Sequence, residues 1–202
     1  IWYPSEVDVS IRPGWYYHAS EDTSVKTPQK LIDIYYSSIG KNSLLLLNLP
    51  PDKRGLIHEN DISSLMNMKR ILGKTFEKNL LKKAVSSTGE IGDLTDGRLE
   101  TYWQGSGKTN TIEISFEGEE EFDRLLLQEN ITEGQRIERF TLECQVGDTW
   151  QMVTEGTTVG YKRILRFAPV RCNKVRIVVS ESRDLPQLSE IGFYKASEEE
   201  QK

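Results

Sequence analysis

The chain has 202 residues, of which 26 are Lys or Arg and 31 are Asp or Glu, so its formal charge at pH 7 is −5. This acidic balance, with scattered cations, argues against nucleic-acid binding, which usually relies on a basic face. No apolar run approaches the roughly 18 residues that span a bilayer, so we expect no membrane span. The 37% hydrophobic and 28% charged content is typical of a folded globular chain.

The first part of the chain predicts alternating helices and strands. Thr27 and Pro28 form a helix start, an N-cap hydroxyl followed by Pro at the first helical position, and Gly40 is placed as the helix C-cap. The short apolar run at 43–49 lies between turn signals, which is typical of a strand buried on both faces. With a second helix over about 60–73, the pattern predicts a parallel α/β arrangement.

From about residue 80 onward, the apolar residues change to a period of two. They alternate with polar residues in the segments 112–116, 140–146 and 175–179. Such alternation predicts strands with one face in the core and one in water, and the turn-prone stretches between them predict an antiparallel β-sandwich or small barrel. The charged residues 198–202 predict a solvated, frayed tail.

Carboxylates and aromatic rings are concentrated near the start of the chain. Glu6 and Asp8 are two residues apart, so they share one face of a strand, and Trp15, Tyr16 and His18 follow closely. This combination is typical of carbohydrate sites, because carboxylates bind hydroxyls or transfer protons and flat rings stack on the C–H faces of sugars. The alternative is a surface strand with two solvated acids and an aromatic cluster packed in a core.

Two further residues extend this candidate site. Arg12 either binds a ligand or forms a structural ion pair, for which Asp8 is a nearby partner. Asn48 follows the apolar run and is expected at the carboxyl end of its strand. In β/α barrels that edge builds the active site.

A second candidate site lies between Asp96 and Trp103, where an Asp-Gly turn is followed by Thr101. An Asp carboxylate, a Thr hydroxyl and backbone carbonyls are hard oxygen ligands that suit Ca²⁺. The alternative is a plain turn with Trp103 as a core anchor, the role also expected of Trp150. The sequence has no Gly-rich phosphate loop, CxxC pair, HExxH motif or Gly-x-Ser-x-Gly elbow, which disfavours nucleotide, zinc-protease and α/β-hydrolase functions. Its two cysteines allow at most one disulfide bond.

Two longer segments resemble bacterial α-L-fucosidases. Residues 6–18 read EVDVSIRPGWYYH, and residues 35–57 read YYSSIGKNSLLLLNLPPDKRGLI. Lys41 and Lys53 stand where members of that family often have Arg. The resemblance implies a retaining exo-hydrolase that removes terminal α-linked L-fucose from an oligosaccharide or glycoprotein glycan and requires no cofactor for catalysis. It also implies that residues 1–76 are the last βα units of a (β/α)8-type barrel.

The second part of the chain resembles the discoidin-like sandwich of coagulation factors and carbohydrate-binding modules, through residues 96–103 and 188–194. This implies a discoidin-like antiparallel β-sandwich over 77–197, with a structural Ca²⁺ held by Asp96, Thr101 and Glu190. An alternative function follows from it, a carbohydrate-binding or interaction protein that acts through sandwich loops. A sandwich that only braces the barrel is compatible with the fucosidase interpretation.

The fucosidase resemblance also implies roles for residues. Retention requires a nucleophilic and an acid/base carboxylate about 5 Å apart. The family's nucleophile is an Asp in an earlier strand that no residue here matches, so we expect this chain alone to be inactive and to need the N-terminal part of the barrel as its partner. Glu6 aligns with the acid/base of one subgroup, and in the other subgroup it would orient the substrate. Trp15 would pack against the apolar face of fucose.

Further expectations follow from the same resemblance. The residues expected to contact substrate are Asp8, Arg12, Trp15, Tyr16, His18 and Asn48. A β/α barrel takes about 250 residues, so strands from only its last units would show bare apolar faces. By the habit of the family, the location is periplasmic or secreted.

Overall fold

The structure is a computed structural model that describes residues 3–86 and 91–201, without the side chains of Lys82 and Lys83. It divides into two compact units. The helical unit comprises Pro4–Glu77 and the described tail from Ser197, and the sheet unit comprises mainly Lys78–Ala196. In the described part of the chain, no helix has the length and apolar character to cross a membrane.

The described residues of the helical unit form two parallel strands and two α-helices. Strand β1 (Ser5–Ser10) pairs in parallel with β2 (Ser43–Asn48). Helix α1 (Pro28–Ser37) connects these strands, and helix α2 (Glu59–Thr75) follows β2. The order β1-α1-β2-α2 agrees with the predicted alternation.

Helix α1 begins where the sequence predicts and ends before the predicted C-cap. Thr27 Oγ1 accepts a hydrogen bond from the Lys30 backbone N–H at 3.2 Å, as an N-cap does. The left-handed residue after the helix is Asn42, with φ of 66°, and not Gly40. A Cβ at Gly40 would lie 2.6 Å from the Tyr36 carbonyl oxygen, so glycine is required there by close approach of the backbone.

Strand β2 differs from the strand buried on both faces that its apolar run predicts. Leu44 is 51% exposed and Leu46 is 44% exposed, whereas the alternate leucines are half-buried. The pairing register places Glu6 beside Leu44 and Asp8 beside Leu46. These four side chains form the open face of the two-stranded sheet. Two exposed leucines thus lie beside two carboxylates on this face.

The C-terminal tail is packed, which corrects the prediction of a solvated end. Glu200 is 5% exposed, and its carboxylate accepts hydrogen bonds from Tyr36 Oη at 2.8 Å and Thr75 Oγ1 at 2.5 Å. The neighbouring Glu199 forms ion pairs with two basic side chains of α2. The tail is therefore hydrogen-bonded to both helices of its unit.

Within residues 78–86 and 91–196, the sheet unit has seven antiparallel strands. In chain order they are β3 (Ala84–Ser86), β4 (Trp103–Gln104), β5 (Asn110–Glu129), β6 (Ile137–Val146), β7 (Thr149–Gly156), β8 (Arg163–Ser182) and β9 (Gln187–Tyr194). Their order is β4-β9-β5-β8-β6-β7, with β3 beside β5. All pairings are antiparallel, as the period of two predicts.

The core of the sheet unit is built from alternate apolar residues of the long strands. Most predicted positions are buried, including Ile112, Ile114, Phe140, Leu142, Val175 and Ile177, but Val146 at the end of β6 is 50% exposed. Trp103 packs against this core, as expected. Trp150 does not act as a core anchor. Its ring centroid lies 4.5 Å from the Arg176 guanidinium carbon and 5.5 Å from the Lys174 ammonium nitrogen, so Trp150 makes cation–π contacts with two basic side chains of β8.

Candidate active site

The carboxyl ends of β1 and β2 meet at one edge because the strands are parallel. Ser10 lies opposite Asn48 there. Asn48 Nδ2 donates hydrogen bonds to Ser10 Oγ at 3.1 Å and to the Trp15 carbonyl at 2.9 Å. Ser10 Oγ donates to the Gly14 carbonyl at 2.7 Å. Residues 13–18, here termed the aromatic loop, are thus attached to the strand ends by two side chains.

The aromatic loop presents two of its rings to solvent. Trp15 is 51% exposed and Tyr16 is 79% exposed, and His18 is also exposed. Tyr17 turns inward, with its ring centroid 4.7 Å from the Arg12 guanidinium carbon. A ring on an anchored backbone offers flat apolar area at little entropic cost, which suits stacking against an apolar ligand face.

Arg12 is fully buried, so the structure places it behind the surface that a ligand would contact. Its Nε donates to Asp61 at 2.9 Å, and its Nη1 donates to Asp22 at 2.9 Å and to the His18 carbonyl at 3.3 Å. The hydrogen bond to Asp61, supported by that to Asp22, raises the pKa of Arg12. The ion pairs are therefore with these two carboxylates and not with Asp8, and they connect the aromatic loop to α2.

Glu6 and Asp8 share the open face of β1, as their spacing predicts, and both are exposed. A strand rises about 3.3 Å per residue, so Asp8 lies about 7 Å and Glu6 about 13 Å before Ser10. Asp8 is therefore the nearer carboxylate to the aromatic loop. Together they give this face two groups that can bind hydroxyls or transfer protons.

Sequence reasoning missed the residues that support the aromatic loop from behind. Besides Asp22 and Asp61, Lys26 contributes, because its Nζ donates to the carbonyls of Ser10 at 2.6 Å and Arg12 at 3.1 Å. Asp61 carried one local signal, an acidic residue in the first turn of a predicted helix. No feature of the neighbouring sequence predicted its ion pair with Arg12, which lies 49 residues earlier.

A separate polar cleft of about 320 Å³ lies between residues 22–28 and α2. Its polar groups are largely occupied by internal hydrogen bonds. Asn60 Nδ2 donates to the Asp22 carbonyl at 2.7 Å, and Ser64 Oγ donates to the Lys26 carbonyl. These bonds attach α2 to the preceding segment, so we interpret the cleft as structural.

The three residues predicted to hold Ca²⁺ converge on one loop of the sheet unit. Thr101 Oγ1 donates to Asp96 Oδ2 at 2.7 Å, and the backbone N–H of Gly97 donates to Glu190 Oε2 at 3.0 Å. The hydrogen bond from Thr101, with one from the Arg98 backbone N–H, lowers the pKa of Asp96. Gly97 has φ of 74°, a left-handed turn conformation that favours glycine.

This oxygen-rich loop fits the chemistry of Ca²⁺, which prefers carboxylate, hydroxyl and carbonyl oxygens. Across residues 3–86 and 91–201, no cluster of three or more His, Cys, Asp or Glu could hold a metal ion. An ion in the loop would therefore combine the carboxylates of Asp96 and Glu190 with the Thr101 hydroxyl and backbone carbonyls.

Comparisons with known proteins point to one enzyme family. Residues 3–77 match the family model described as alpha-L-fucosidase. Among curated proteins, the chain is 41% identical over 209 residues to alpha-L-fucosidase 1 of Arabidopsis thaliana, covering 96% of this chain and 41% of that protein. The chain thus spans about two fifths of the length of the curated relatives it matches. Because these relatives are plant proteins, the similarity extends beyond the bacterial enzymes expected from the motifs.

Solved structures agree with this similarity. A Ruminococcus gnavus GH29 fucosidase in complex with fucose matches with a TM-score of 0.90 and 32% identity, over 100% of this chain and 43% of that chain. A glycoside hydrolase 29 family member from an unknown rumen bacterium matches with a TM-score of 0.82 and 36% identity, over 98% of this chain and 34% of that chain. Both matches include the helical unit and the sheet unit.

Proposed function

We propose that this chain forms part of a retaining exo-α-L-fucosidase, which hydrolyses terminal α-linked L-fucose on an oligosaccharide or glycoprotein glycan. The family match over residues 3–77 and the similarity to fucosidases along nearly the whole chain support the proposal. The observation that carries it is the aromatic loop, whose exposed Trp15 is held at the carboxyl ends of two parallel strands by Asn48. We propose that the helical unit is the end of a (β/α)8 barrel.

In this proposal, Trp15 stacks on the apolar face of fucose, including its methyl group, and Tyr16 and His18 shape the pocket rim. Asn48 acts as a positioning residue through the Trp15 backbone. Asp8 binds substrate hydroxyls. Arg12 supports the loop from the interior instead of binding the sugar, because its guanidinium is fully buried.

The chemistry needs a nucleophilic carboxylate, and no residue of this chain matches the nucleophile motif of the family. In a retaining mechanism, a nucleophilic carboxylate attacks the anomeric carbon while an acid protonates the leaving oxygen, and water then hydrolyses the glycosyl-enzyme. We propose that the nucleophile belongs to a preceding barrel segment that packs on the open face of β1 and β2. Glu6 is the acid/base candidate on this chain, with substrate orientation as its other role.

A chimeric enzyme tests the proposal. The portion of the Arabidopsis enzyme that precedes the region matched by this chain is fused to residues 1–202, and hydrolysis of an aryl α-L-fucoside is measured. We expect turnover by the chimera and none by the 202-residue chain. The Trp15→Ala chimera should lose most activity, with the exposed Tyr161→Ala of the sheet unit as the control. Turnover by the chain alone, or a folded but inactive chimera beside an active intact Arabidopsis enzyme, would contradict the proposal.

The role of Glu6 is tested in the same chimera with Glu6→Gln. An acid/base role predicts a large loss of kcat/KM on substrates with poor leaving groups, a small loss of kcat/KM on activated aryl fucosides, and loss of the alkaline limb of the pH profile of kcat/KM. A substrate-orienting role predicts a raised KM with all leaving groups. Glu138→Gln, at an exposed glutamate of the sheet unit, is the matched control.

For the sheet unit we propose a discoidin-like β-sandwich that braces the barrel, with a structural Ca²⁺ at Asp96, Thr101 and Glu190. The convergence of these residues on one loop supports the ion site. Family habit supports export to the periplasm or the cell exterior. Binding of fucose or galactose by the isolated sheet unit would instead favour the alternative function, a carbohydrate-binding module.

A further inference from the structure

Two cysteines lie side by side in the core of the sheet unit. Cys144 is on β6 and Cys172 is on β8, and each is 4% exposed. Both are free thiols, and their Sγ atoms are 2.9 Å apart. Strands β6 and β8 are neighbours in the sheet, where Cys144 pairs with Val175, three residues after Cys172. A disulfide bond has about 2.05 Å between its sulfurs, so the two thiols are already close to bonding distance.

We propose that Cys144 and Cys172 form an intramolecular disulfide when a disulfide-bearing oxidant meets the chain. The Cys172 thiolate attacks one sulfur of the oxidant, which releases one thiol and leaves a mixed disulfide on Cys172. Cys144 then loses its proton and attacks the Cys172 sulfur, which forms the Sγ–Sγ bond and releases the second thiol. The two cysteines are oxidised by two electrons, and the oxidant is reduced to two thiols that carry the two protons.

Cys172 is the better attacking group of the pair. The hydrogen bond between the two thiols and one from the Lys174 backbone N–H lower the pKa of Cys172, although its burial and Glu119 oppose this. The same hydrogen bond and burial raise the pKa of Cys144. Since the thiolate is the reactive form, Cys172 attacks first and Cys144 resolves the mixed disulfide.

Access to Cys172 follows from an irregularity in the sheet. Cys172 pairs with Glu120 of β5 at the point where the register between β5 and β8 shifts after Ser115. Irregular pairing interrupts the hydrogen-bond ladder, and such places open locally more easily than regular strands. The oxidant can therefore reach Cys172 by local opening or during folding.

The cross-link would stabilise the sheet unit. It joins residues 28 apart and closes a loop that contains β7. Closing a loop of this length restricts the unfolded chain, so the oxidised form should unfold at a temperature higher by roughly 10 °C.

The test uses the full 202-residue chain in two arms, one folded and one refolded from denaturant, each with oxidised glutathione. Samples are quenched with acid, denatured, alkylated with iodoacetamide and analysed by intact mass and peptide mapping. We expect a monomer that has lost two hydrogen atoms, carries no alkyl group and yields a linked peptide pair containing Cys144 and Cys172. The reductant-treated chain should take two alkyl groups.

The variants Cys144→Ser and Cys172→Ser are the controls, because each keeps the side-chain size and removes one sulfur. Each variant should carry one modified thiol and show the same unfolding temperature with and without reductant. The wild type should unfold at a higher temperature without reductant than with it. Full alkylation of both cysteines in both arms would overturn the proposal. So would glutathione adducts on both cysteines, or disulfide-linked dimers without the internal link.

Discussion

Asn48 Nδ2 donates a 2.9 Å hydrogen bond to the carbonyl oxygen of Trp15 and a 3.1 Å bond to Ser10 Oγ. The side chain at the end of one strand thereby holds the loop that leaves the end of the neighbouring strand. Since the loop backbone is held and the Trp15 ring is exposed, the ring has a defined position for stacking. This relationship connects the parallel pairing of β1 and β2 to the proposed sugar contact.

Loss of this hydrogen bond should weaken substrate binding in the chimera. For Asn48→Ala we expect KM for an aryl α-L-fucoside to rise about fivefold, since a hydrogen bond contributes about 1 kcal/mol. Asn67→Ala removes a comparable amide whose hydrogen bonds, to the Ser63 carbonyl and from Arg70, stay within α2, and it serves as the control. An unchanged KM in Asn48→Ala would show that the bond does not position the loop for binding.

Arg12 should be essential for the stability of the helical unit. Arg12→Met leaves the fully buried carboxylate of Asp61 without its cation, which we expect to lower the free energy of unfolding by about 3–5 kcal/mol. Urea unfolding measures the change. The double variant Arg12→Met with Asp61→Leu should recover much of the loss, because it leaves no buried charge at that position.

The matched control for this pair is Arg98→Met. Arg98 is exposed and lies 3.9 Å from the exposed Glu100, so we expect a change below about 0.5 kcal/mol. If Arg12→Met were as mild as Arg98→Met, the buried ion pairs would not hold the aromatic loop to α2.

The tail should stabilise the fold in a pH-dependent way. Hydrogen bonds from Arg70 and then Lys74 lower the pKa of Glu199 from 4.5 to about 2. A carboxylate with a depressed folded pKa contributes stability that is fully present above its unfolded pKa and is lost as pH falls through the folded pKa. The stability difference between wild type and Glu199→Gln should therefore be constant above about pH 5.5 and disappear between about pH 4.5 and 2.

Thermal unfolding at several pH values measures this difference, and added salt should reduce it because the pair is partly exposed. Glu198→Gln makes the same charge change at an exposed neighbouring position and should not alter stability. A difference that grows as the pH falls would contradict the assigned ion pairs.

Glu129 should be required as a carboxylate in the sheet unit. This buried side chain accepts backbone N–H groups from Arg136 and Ile137 at 2.8 Å each, and from Gly160 at 2.6 Å. Glu129→Gln replaces one acceptor oxygen with an NH2 group that faces a donor, which should destabilise the unit by about 1–3 kcal/mol. Glu133→Gln, at an exposed glutamate, is the control. If Glu129→Gln and Glu133→Gln had the same free energy of unfolding in urea, the Glu129 carboxylate would not have this role.

Calcium should raise the unfolding temperature of the chain if the proposed ion site is occupied. We expect the unfolding temperature to rise at Ca²⁺ concentrations on the order of 10⁻³ M or below. A chelator should reverse the rise, and Mg²⁺ should not produce it. Asp96→Asn and Glu190→Gln should each remove the shift. Asp148→Asn, in the turn between β6 and β7, should retain it. A calcium shift that survives both site variants would place the ion elsewhere.

Short-range features of the fold were predictable from the residues. The cap formed by Thr27 before Pro28, and the alternation at 112–116, act through the backbone within a few positions, so they appear in the structure as expected. Gly40 shows the limit of such reasoning. Glycine is needed there for backbone approach to Tyr36, and the left-handed turn falls on Asn42.

The candidate site divides in the same way. The sequence by itself determined the parallel alternation of the first part, the shared face of Glu6 and Asp8, and the end-of-strand position of Asn48. Only the tertiary structure decided that Arg12 is buried against Asp61, that Glu200 packs against both helices, and that the two thiols meet. These pairings join residues 28 to 164 positions apart. Local periodicity carries no information on them, because their geometry depends on how whole helices and strands pack.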